Sequence, residues 1–428
     1  MKVFRTLPPS TRRNFFFLFL TGLCFWVSLT VLLPTLPLYI ESLGANQQQV
    51  GLVMGSFAIG LLLLRGILGQ WADRRSRKLV IQIGAIAVAL APFGYLTIPS
   101  LPILVVIRAL HGISVAGMTT GYSTLVVELS PKEKRGELLG AMMLVLPMGM
   151  TLGPVLGGYI VEFAGYSVLF IVSGILGIFA TIFASQIREV ARSPSDLTRK
   201  KPLVALNSLA RSLLKTFILT RSSELLQGRE LRTPALTMLS VGIIFGTVTT
   251  FLPAFIRDSG ANLNPGLFYL ASALADFTVR GNVGRASDRF GRGIFVTGSL
   301  LAYLLAMIIL INANTVPEFI IAGMAEGIGR SSLLTAMVAL VADRSSASQQ
   351  GQAFALCIGG FDLGLALGGP FFGSFAAFLN YRGIFSGAAI VALMAIGLFL
   401  TQSSKNISHS FRFATGRSKD IYALENHV

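Results

Sequence analysis

The sequence predicts an all-α polytopic membrane protein with twelve transmembrane helices in two pseudo-symmetric six-helix bundles. One observation behind this prediction is composition: of 428 residues, 53% are hydrophobic and only 13% are charged, which is typical of membrane proteins. The other is that the sequence repeats itself at an offset of 215 residues. Two matching halves of this kind indicate a duplicated helical bundle.

The clearest copy of the repeat joins Arg65–Lys78 to Arg280–Gly293, where Arg, Gly, Gly, Asp, Arg and Arg coincide. The same register continues through a series of glycines further along the chain. Upstream the offset becomes 216, because Gly44-Ala45-Asn46 matches Gly260-Ala261-Asn262. A register that holds over so many positions indicates that both halves share one topology.

Apolar stretches long enough to cross a hydrocarbon core of about 30 Å, which takes roughly 20 helical residues, occur twelve times. Their predicted starts are residues 14, 48, 79, 102, 137 and 167 in the first half and 234, 265, 293, 317, 351 and 383 in the second. We therefore predict bundles over residues 1–187 and 234–401, a linker over 188–233 and a tail over 402–428.

The net charge of +16 falls almost entirely on one side of the predicted spans. With the N-terminus in the cytoplasm, the opposite loops carry only Arg257 and Arg382 as basic residues. Because basic loops stay in the cytoplasm, we expect a multi-pass protein of the plasma (bacterial inner) membrane with both termini cytoplasmic. This distribution makes the lipid bilayer the partner of the chain and argues against nucleic acid.

The linker 188–233 holds ten basic and four acidic residues, which suits a cytoplasmic connection between the bundles. Within it, Leu206, Leu209 and Leu213 recur at helical spacing beside Arg211 and Lys215. This pattern predicts an amphipathic helix, which either lies on the inner leaflet or packs beneath the bundle.

A Gly-x-x-Ala/Ser-Asp-Arg-x-x-Arg element occupies the turn after the second span of each half. Its residues are Gly69, Asp73, Arg74 and Arg77 in the first half and Gly284, Asp288, Arg289 and Arg292 in the second. A carboxylate at a helix end can meet an arginine or a helix N-terminus in one conformation only, so Asp73 and Asp288 are predicted latches. Solvated basic turns would explain the arginines but not the matched aspartates and glycines. The element resembles the major facilitator superfamily motif Gly-x-Leu-Ala-Asp-Arg-x-Gly-Arg-Lys, from which Trp71 and Ser76 depart.

The fifth span contains a second pattern, formed by Gly149, Gly153, Pro154, Gly157 and Gly158. Glycines four residues apart allow close helix contact, and the proline allows a bend. Generic small-residue packing would need the glycines but not the whole pattern. It resembles in full the Gly-x-x-x-Gly-Pro-x-x-Gly-Gly element of the superfamily's proton-driven antiporters, which implies the superfamily's fold and the export of drugs or metabolites. The second half keeps the glycines but moves the proline to Pro370.

Few ionisable residues fall within the predicted spans. A charge at a helix centre costs roughly 2.5–3.5 kcal/mol, so each needs a partner, water or a function. Arg65, Asp276 and Arg280 lie within two turns of the cytoplasmic end and are expected to snorkel to the interface. Asp362 has no charged neighbour within a turn of its own helix, and burial favours a protonated carboxyl, so it is the first candidate for proton coupling.

The stretch Arg108-Ala109-Leu110-His111-Gly112 resembles the superfamily's Arg-x-x-Gln-Gly element, with His111 in place of the glutamine. The resemblance implies that Arg108 tunes proton release or binds an anionic group; a structural arginine bonded to backbone carbonyls is the alternative. Histidine can itself titrate near neutral pH. Glu326 lies 215 residues after His111, and the resemblance places both beside a central cavity. Glu326 lies four residues before Arg330, a spacing that favours a local ion pair.

Motifs of other protein classes are missing from the sequence: it has no Gly-Lys pair, no hydrolase pattern and only two cysteines. We therefore expect no enzyme activity, no cofactor and no metal site. The predicted function is secondary active transport by alternating access, in which protons drive the efflux of small organic or amphipathic compounds through a monomer. A symporter or uniporter of a sugar or organic acid is the alternative, and a non-transporting membrane receptor is a further one.

Overall fold

The computed structural model describes residue 4 and residues 7–189, 228–346, 349–376 and 378–424. The amphipathic helix predicted in the linker lies outside the described residues. Clustering of the described residues gives two compact units, one of residues up to 45 and 56–189, the other of residues 46–55 and 228–424.

Regular structure in the described part of the chain is helical throughout. Up to residue 189 the α-helices are α1 (Pro9–Thr30), α2 (Leu36–Ser42), α3 (Gln47–Arg74), α4 (Arg77–Thr97), α5 (Leu101–Leu129), α6 (Arg135–Met142) and α7 (Val145–Gln186). From residue 228 they are α8 (Arg229–Asp258), α9 (Pro265–Phe290), α10 (Arg292–Asn312), α11 (Val316–Asp343), α12 (Gln350–Phe375), α13 (Tyr381–Gln402) and α14 (Ile407–Ala414). The predicted all-α architecture is confirmed.

The number of membrane crossings follows from these helices. Ten helical runs among the described residues are long and apolar enough to span a bilayer. One of them, Lys132–Gln186, bends at Gly165, whose φ of 79° and ψ of 177° interrupt the helix, so this run holds two crossings. A further helix, α9, has 26 residues and is long enough to cross, but it is less apolar than the others because it carries several charged side chains from Asp276 onward. Together these helices account for the twelve predicted spans.

The repeat is visible in backbone conformation as well as in sequence. Gly44 and Gly260 both adopt left-handed φ values, 86° and 74°, in the turn between the first and second spans of each half. A residue with a side chain rarely adopts this conformation, so glycine is required at both turns. The repeat therefore matches in backbone geometry at the point where its offset is 216.

Each unit is held together by close pairs of long helices. In the first unit α1 packs along α7, where the Ser28 hydroxyl donates to the Ser173 carbonyl oxygen at 2.7 Å and the Ser173 hydroxyl donates back at 2.8 Å. In the second unit α8 packs along α12 in the matching way, and α9 packs along α11. The pairing of α9 with α11 fixes the positions of Asp276, Glu326 and Arg330, which are described next.

Candidate functional site

A buried cluster in the first unit surrounds His111 on α5. The His111 ring is fully buried, and its Nδ1 atom lies 3.0 Å from Tyr95 Oη and 3.4 Å from Arg108 Nη1. The Phe57 ring meets the His111 ring edge-on at 5.7 Å and lies 4.5 Å from the guanidinium carbon of Arg108. Within the described residues Arg108 forms no ion pair, so its charge is balanced by an aromatic face and by neutral dipoles.

This cluster also holds polar atoms that lack hydrogen-bond partners in the described structure. They include Arg108 Nε and His111 Nε2, both buried. A buried donor left without a partner costs about 1–3 kcal/mol, so such atoms are places where a ligand group or water gains by binding. The backbone-bonded arginine considered as the structural alternative is not what the geometry shows, since the side chain contacts Phe57 and His111.

The pseudo-symmetric cluster in the second unit is built around Glu326 on α11. Ser272, which occupies the repeat position of Phe57, donates a short hydrogen bond from its hydroxyl to Glu326 Oε2. Arg330 donates from Nη2 to Ser272 Oγ at 3.1 Å, and its Nε lies 3.9 Å from Glu326 Oε1. The predicted spacing of Glu326 and Arg330 therefore gives an ion pair, although a long one.

A second carboxylate, Asp276 on α9, shares Arg330 with Glu326. Arg280 donates two hydrogen bonds to Asp276, from Nε to Oδ1 and from Nη2 to Oδ2, both 3.0 Å long. Arg330 Nη2 lies 3.5 Å from Asp276 Oδ2. The network thus holds two carboxylates and two guanidiniums, and with all four ionised its net charge is zero.

The expected snorkelling of Asp276 is wrong. The residue is 5% exposed, and its carboxylate points to Arg280 and Arg330 inside the second unit. A buried carboxylate can remain ionised when a bidentate arginine compensates the lost hydration, which is what α9 and α11 provide here. The second partner, Arg330, lies on another helix and cannot be identified from spacing along α9.

The other predicted carboxylate, Asp362, is 5% exposed on α12. Glu326, by contrast, lies on α11 and contacts Ser272 and Arg330. The two carboxylates named from the sequence therefore lie on different helices, Glu326 in an arginine network on α11 and Asp362 on the glycine-rich α12.

The duplicated turns after α3 and α9 each contain an ion pair that the sequence analysis missed. Arg77 pairs with Glu128, and Arg292 Nε lies 3.1 Å from Asp343 Oδ2. Glu128 and Asp343 are themselves 215 residues apart, so extending the repeat would have revealed both pairs. Each pair ties the start of one helix to the end of the helix that follows it in sequence.

One of the two departures from the family motif in the first turn, Ser76, has a local explanation. Ser76 caps α4 by accepting a hydrogen bond from the Leu79 backbone N–H at 2.9 Å, and it also donates to Glu189. In the second turn the same position is Gly291, which adopts φ 96°. The two turns therefore begin the next helix by different means, a side-chain cap in one and a left-handed glycine in the other.

The remaining motif residues of these turns lie at exposed or loosely packed positions. Asp288 is exposed and pairs with Arg292 one turn along, and Asp73 is also exposed. Arg289 stacks its guanidinium 5.3 Å from the Phe290 ring, while Arg74 is half-buried. A Cβ at Gly69 or Gly284 would lie 3.8 or 4.0 Å from a threonine methyl, which is ordinary contact. Packing within each unit therefore does not require these two glycines.

The glycines of the fifth span face α1 at close range. An added Cβ at Gly149, Gly153 or Gly157 would overlap atoms of Trp26, Thr30 or Val31, respectively. The Thr30 hydroxyl also donates to the Gly149 carbonyl oxygen at 2.7 Å. Pro154 and Gly158 are buried in the same helix.

The second half repeats this glycine contact without the full motif. Gly364 and Gly368 on α12 lie equally close to the backbone of α8, at Leu239 and Ile243. Since the close contact occurs in both halves, helix packing alone explains the glycines. Pro154 is the residue that distinguishes the first copy, because the second copy has its proline at position 370.

Comparison with known proteins agrees with this architecture. The sequence profile of the Major Facilitator Superfamily matches residues 18–281 and 266–418. The quinolone resistance protein NorA of Staphylococcus aureus is 27% identical over 172 residues, which is 40% of this chain and 44% of NorA, so the chain spans less than half of that relative. The multi-drug resistance efflux pump PmrA of Streptococcus pneumoniae is 24% identical over 392 residues, 87% of this chain and 90% of PmrA.

Solved structures share the fold at low sequence identity. A bacterial homologue of the human lysosomal transporter Spinster superposes with a TM-score of 0.73 at 15% identity, covering 96% of this chain and 99% of that one. The human organic anion transporter MFSD10 superposes with a TM-score of 0.66 at 20% identity, covering 92% and 100%. The chain therefore belongs to the Major Facilitator Superfamily and is a multi-pass membrane protein.

Proposed function

We propose that this chain exports small organic or amphipathic compounds in exchange for protons, by alternating access in the inner membrane of a bacterium. The observation that carries the proposal is the buried network of Asp276, Arg280, Glu326 and Arg330. A static bundle would gain stability from apolar side chains at these places, because a buried ion network is often no better than hydrophobic packing. Ionisable groups at membrane depth therefore indicate a role in ion or solute movement.

Within this network Glu326 is the proposed proton carrier. Asp276 accepts two hydrogen bonds from one arginine, whereas Glu326 has one hydroxyl donor and an arginine Nε at 3.9 Å. When Glu326 is protonated, Arg330 has Asp276 as its remaining anionic partner. When Glu326 is ionised, Arg330 is shared between the two carboxylates. The two protonation states thus favour different positions of one guanidinium, which is the property that coupling requires.

The cluster around His111 is the proposed substrate-facing element of the first unit. Arg108 offers a guanidinium without an ion-pair partner in the described structure, and Phe57 and Tyr95 offer aromatic surface beside it. A few polar groups in an aromatic surrounding suit amphipathic compounds with an electronegative group. The names of the relatives, a quinolone resistance protein and a multidrug efflux pump, support export of this class.

The duplicated turns are the proposed gates. Asp73 and Asp288 lie exposed at helix ends, where each could form a contact in another state of the cycle. Gly69 and Gly284 support this role, because neither is required by packing inside its own unit. Because packing inside the unit does not require glycine at these two positions, we infer that the missing side chain makes room for another part of the protein that moves close during transport.

The antiporter element of α7 supports efflux through Pro154 more than through its glycines. The glycine contact recurs in the second half, which lacks the full motif, so the glycines alone do not indicate the direction of transport or its coupling to protons.

The assay that tests direction and coupling uses the purified protein, reconstituted into vesicles with an imposed pH gradient. Proton flux is followed while amphipathic drugs, sugars and organic acids are added in turn.

Three variants make this assay specific: Glu326→Gln, Asp362→Asn and, as the control, Glu137→Gln at an exposed carboxylate of α6. We expect amphipathic compounds to dissipate the gradient with the control and with Asp362→Asn, and not with Glu326→Gln. Loss with Asp362→Asn alone would make that residue the proton carrier. Solute uptake that collapses with the pH gradient would establish a symporter, and downhill movement indifferent to pH would establish a uniporter.

A further inference from the structure

The segment after the last span folds back onto the second unit. Arg344, at the end of α11, has a fully buried side chain that binds Asp420 through Nε at 2.7 Å and through Nη2 at 3.1 Å. The same guanidinium donates to the carbonyl oxygens of Glu230 and Ser403 at 2.9 and 2.8 Å. We call residues 403–424, held by Arg344, the C-terminal strap.

The strap contains the eight-residue helix α14, which has three different sides. Ser410, Phe413 and Ala414 are buried against the second unit, over an arc of about 100° at 100° per residue. Next to this arc, Ile407 and Phe411 are 67% and 48% exposed.

The third side of α14 is polar. Ser408 and Arg412 lie beyond the two apolar residues and are exposed. The helix thus has one side against protein, an exposed apolar side and a polar side. This arrangement suits the edge of a bundle at a bilayer surface.

The position of α14 along the chain places it at that surface. Its predecessor α13 has 22 residues, or about 33 Å of helix, which is just enough to cross a hydrocarbon core of about 30 Å. Gln402 therefore lies at one face of the membrane, and only four residues separate it from Ile407. Four residues reach at most about 14 Å, so α14 stays within the headgroup region or next to it.

The strap is also basic on its exposed surface. Lys405, Arg412, Arg417 and Lys419 are exposed, and in the described part of the chain none of the four pairs with a carboxylate. The acidic residue of the strap, Asp420, is occupied by Arg344. Exposed cations next to apolar side chains at a membrane surface attract anionic headgroups.

We propose that the C-terminal strap is an anionic-phospholipid binding surface. Ile407 and Phe411 insert at the boundary between headgroups and acyl chains, and Arg412 and Arg417 bind the phosphate-bearing headgroups above them. Arg344 holds the strap in the orientation that this requires. The inference depends on the chain being a membrane protein and not on proton coupling or on the substrate.

The test places one spin label at a time on the full-length protein in a Cys24→Ala, Cys357→Ala background. The labelled variants are Ile407→Cys and Phe411→Cys on the apolar side, Ser408→Cys and Arg412→Cys on the polar side, and Phe163→Cys as a reference at the end of the fifth span, two residues before the bend at Gly165, where Phe163 is 80% exposed. Accessibility to oxygen, which partitions into lipid, is compared with accessibility to a water-soluble nickel chelate in phosphatidylcholine vesicles with and without phosphatidylglycerol.

We expect labels at 407 and 411 to be reached by oxygen and those at 408 and 412 by the nickel chelate. Phosphatidylglycerol should move the label at 411 deeper, and this shift should be lost when Arg412→Gln and Arg417→Gln are combined, while the label at 163 should not respond. Equal nickel access at 411 and 408 would put the apolar side in water and overturn the proposal. A label at 411 that neither reagent reaches would mean that protein covers it, with the same consequence, as would a lipid-dependent shift that persists without the two arginines.

Discussion

Replacing Asp276 and Glu326 one at a time should separate a structural carboxylate from a proton-carrying one. Asp276→Asn removes the bidentate partner of Arg280 and the closer of the two carboxylates beside Arg330, whose side chain is 14% exposed. Removing one partner of a buried pair leaves an uncompensated charge and costs about 3–5 kcal/mol. The side chain of Arg280 is 35% exposed, so water can solvate it once Asp276 is replaced. The loss of the Arg280 pair should therefore cost about the lower end of this range.

Glu326→Gln should behave differently. It removes an attraction to Arg330 at 3.9 Å, about 4 kcal/mol at an effective dielectric constant of 20, but it also removes the cost of burying a carboxylate. The amide can still accept from Ser272, so we expect a net change of about 1 kcal/mol or less. Arg330 keeps Asp276 as its partner in this variant.

The assay is thermal unfolding of the purified variants in one detergent, followed by circular dichroism of the helices, because both tryptophans, Trp26 and Trp71, lie in the first unit. At roughly 2–4 °C per kcal/mol, Asp276→Asn should lower Tm by about 10 °C, and Glu326→Gln by about 3 °C or less. Asp288→Asn is the matched control, because it lies on the same helix, pairs with an arginine one turn along and has a side chain that is 63% exposed. An exposed pair contributes at most about 1 kcal/mol, so its Tm should hardly change. A fall with Glu326→Gln as large as with Asp276→Asn would make Glu326 structural and refute the reasoning.

Three further outcomes are expected. Gly153→Ala should lower stability by about 1–3 kcal/mol, because its Cβ would overlap the neighbouring helix, while Gly140→Ala, which meets nothing within 4 Å, should not lower it in the same unfolding assay. Arg344→Gln should release the C-terminal strap, seen as faster trypsin cleavage at residues 417 and 419 than in the wild-type protein; unchanged cleavage would show that apolar contacts alone hold the strap. Gly69→Ala should keep the wild-type Tm but slow transport in vesicles, whereas Gly397→Ala, with open space around it, should alter neither; equal transport by both variants would remove the gating role of Gly69.

The sequence was sufficient for the features that local chemistry and periodicity determine. Apolar length gave the spans, and the repeat gave the matching turns at Gly44 and Gly260, which share a left-handed conformation. The bend at Gly165 also falls just before the predicted sixth span. Each of these depends on residues that are close together in the chain.

What the sequence could not supply are contacts between distant residues. Asp276 and Arg330 are 54 positions apart and meet because α9 packs on α11, so helical spacing along α9 pointed wrongly to snorkelling. Arg344 and Asp420 are 76 positions apart, and nothing near either residue indicates the other. By contrast, the partners Glu128 and Asp343 could have been found from the repeat, because each stands at the matching position of the other half.

The ion pairs of the turns are the same in both halves of the chain, whereas the clusters around His111 and Glu326 differ between the halves. Arg77–Glu128 and Arg292–Asp343 pair the same positions in both halves, as do Gly69 beside Thr120 and Gly284 beside Thr335. At the centre of the same helices, Phe57 and His111 in one half stand where Ser272 and Glu326 stand in the other. The simplest history is that a six-helix ancestor already carried the turn pairs before it duplicated. Its two descendants then diverged at midspan, so that one copy now carries a charge network and the other an aromatic cluster.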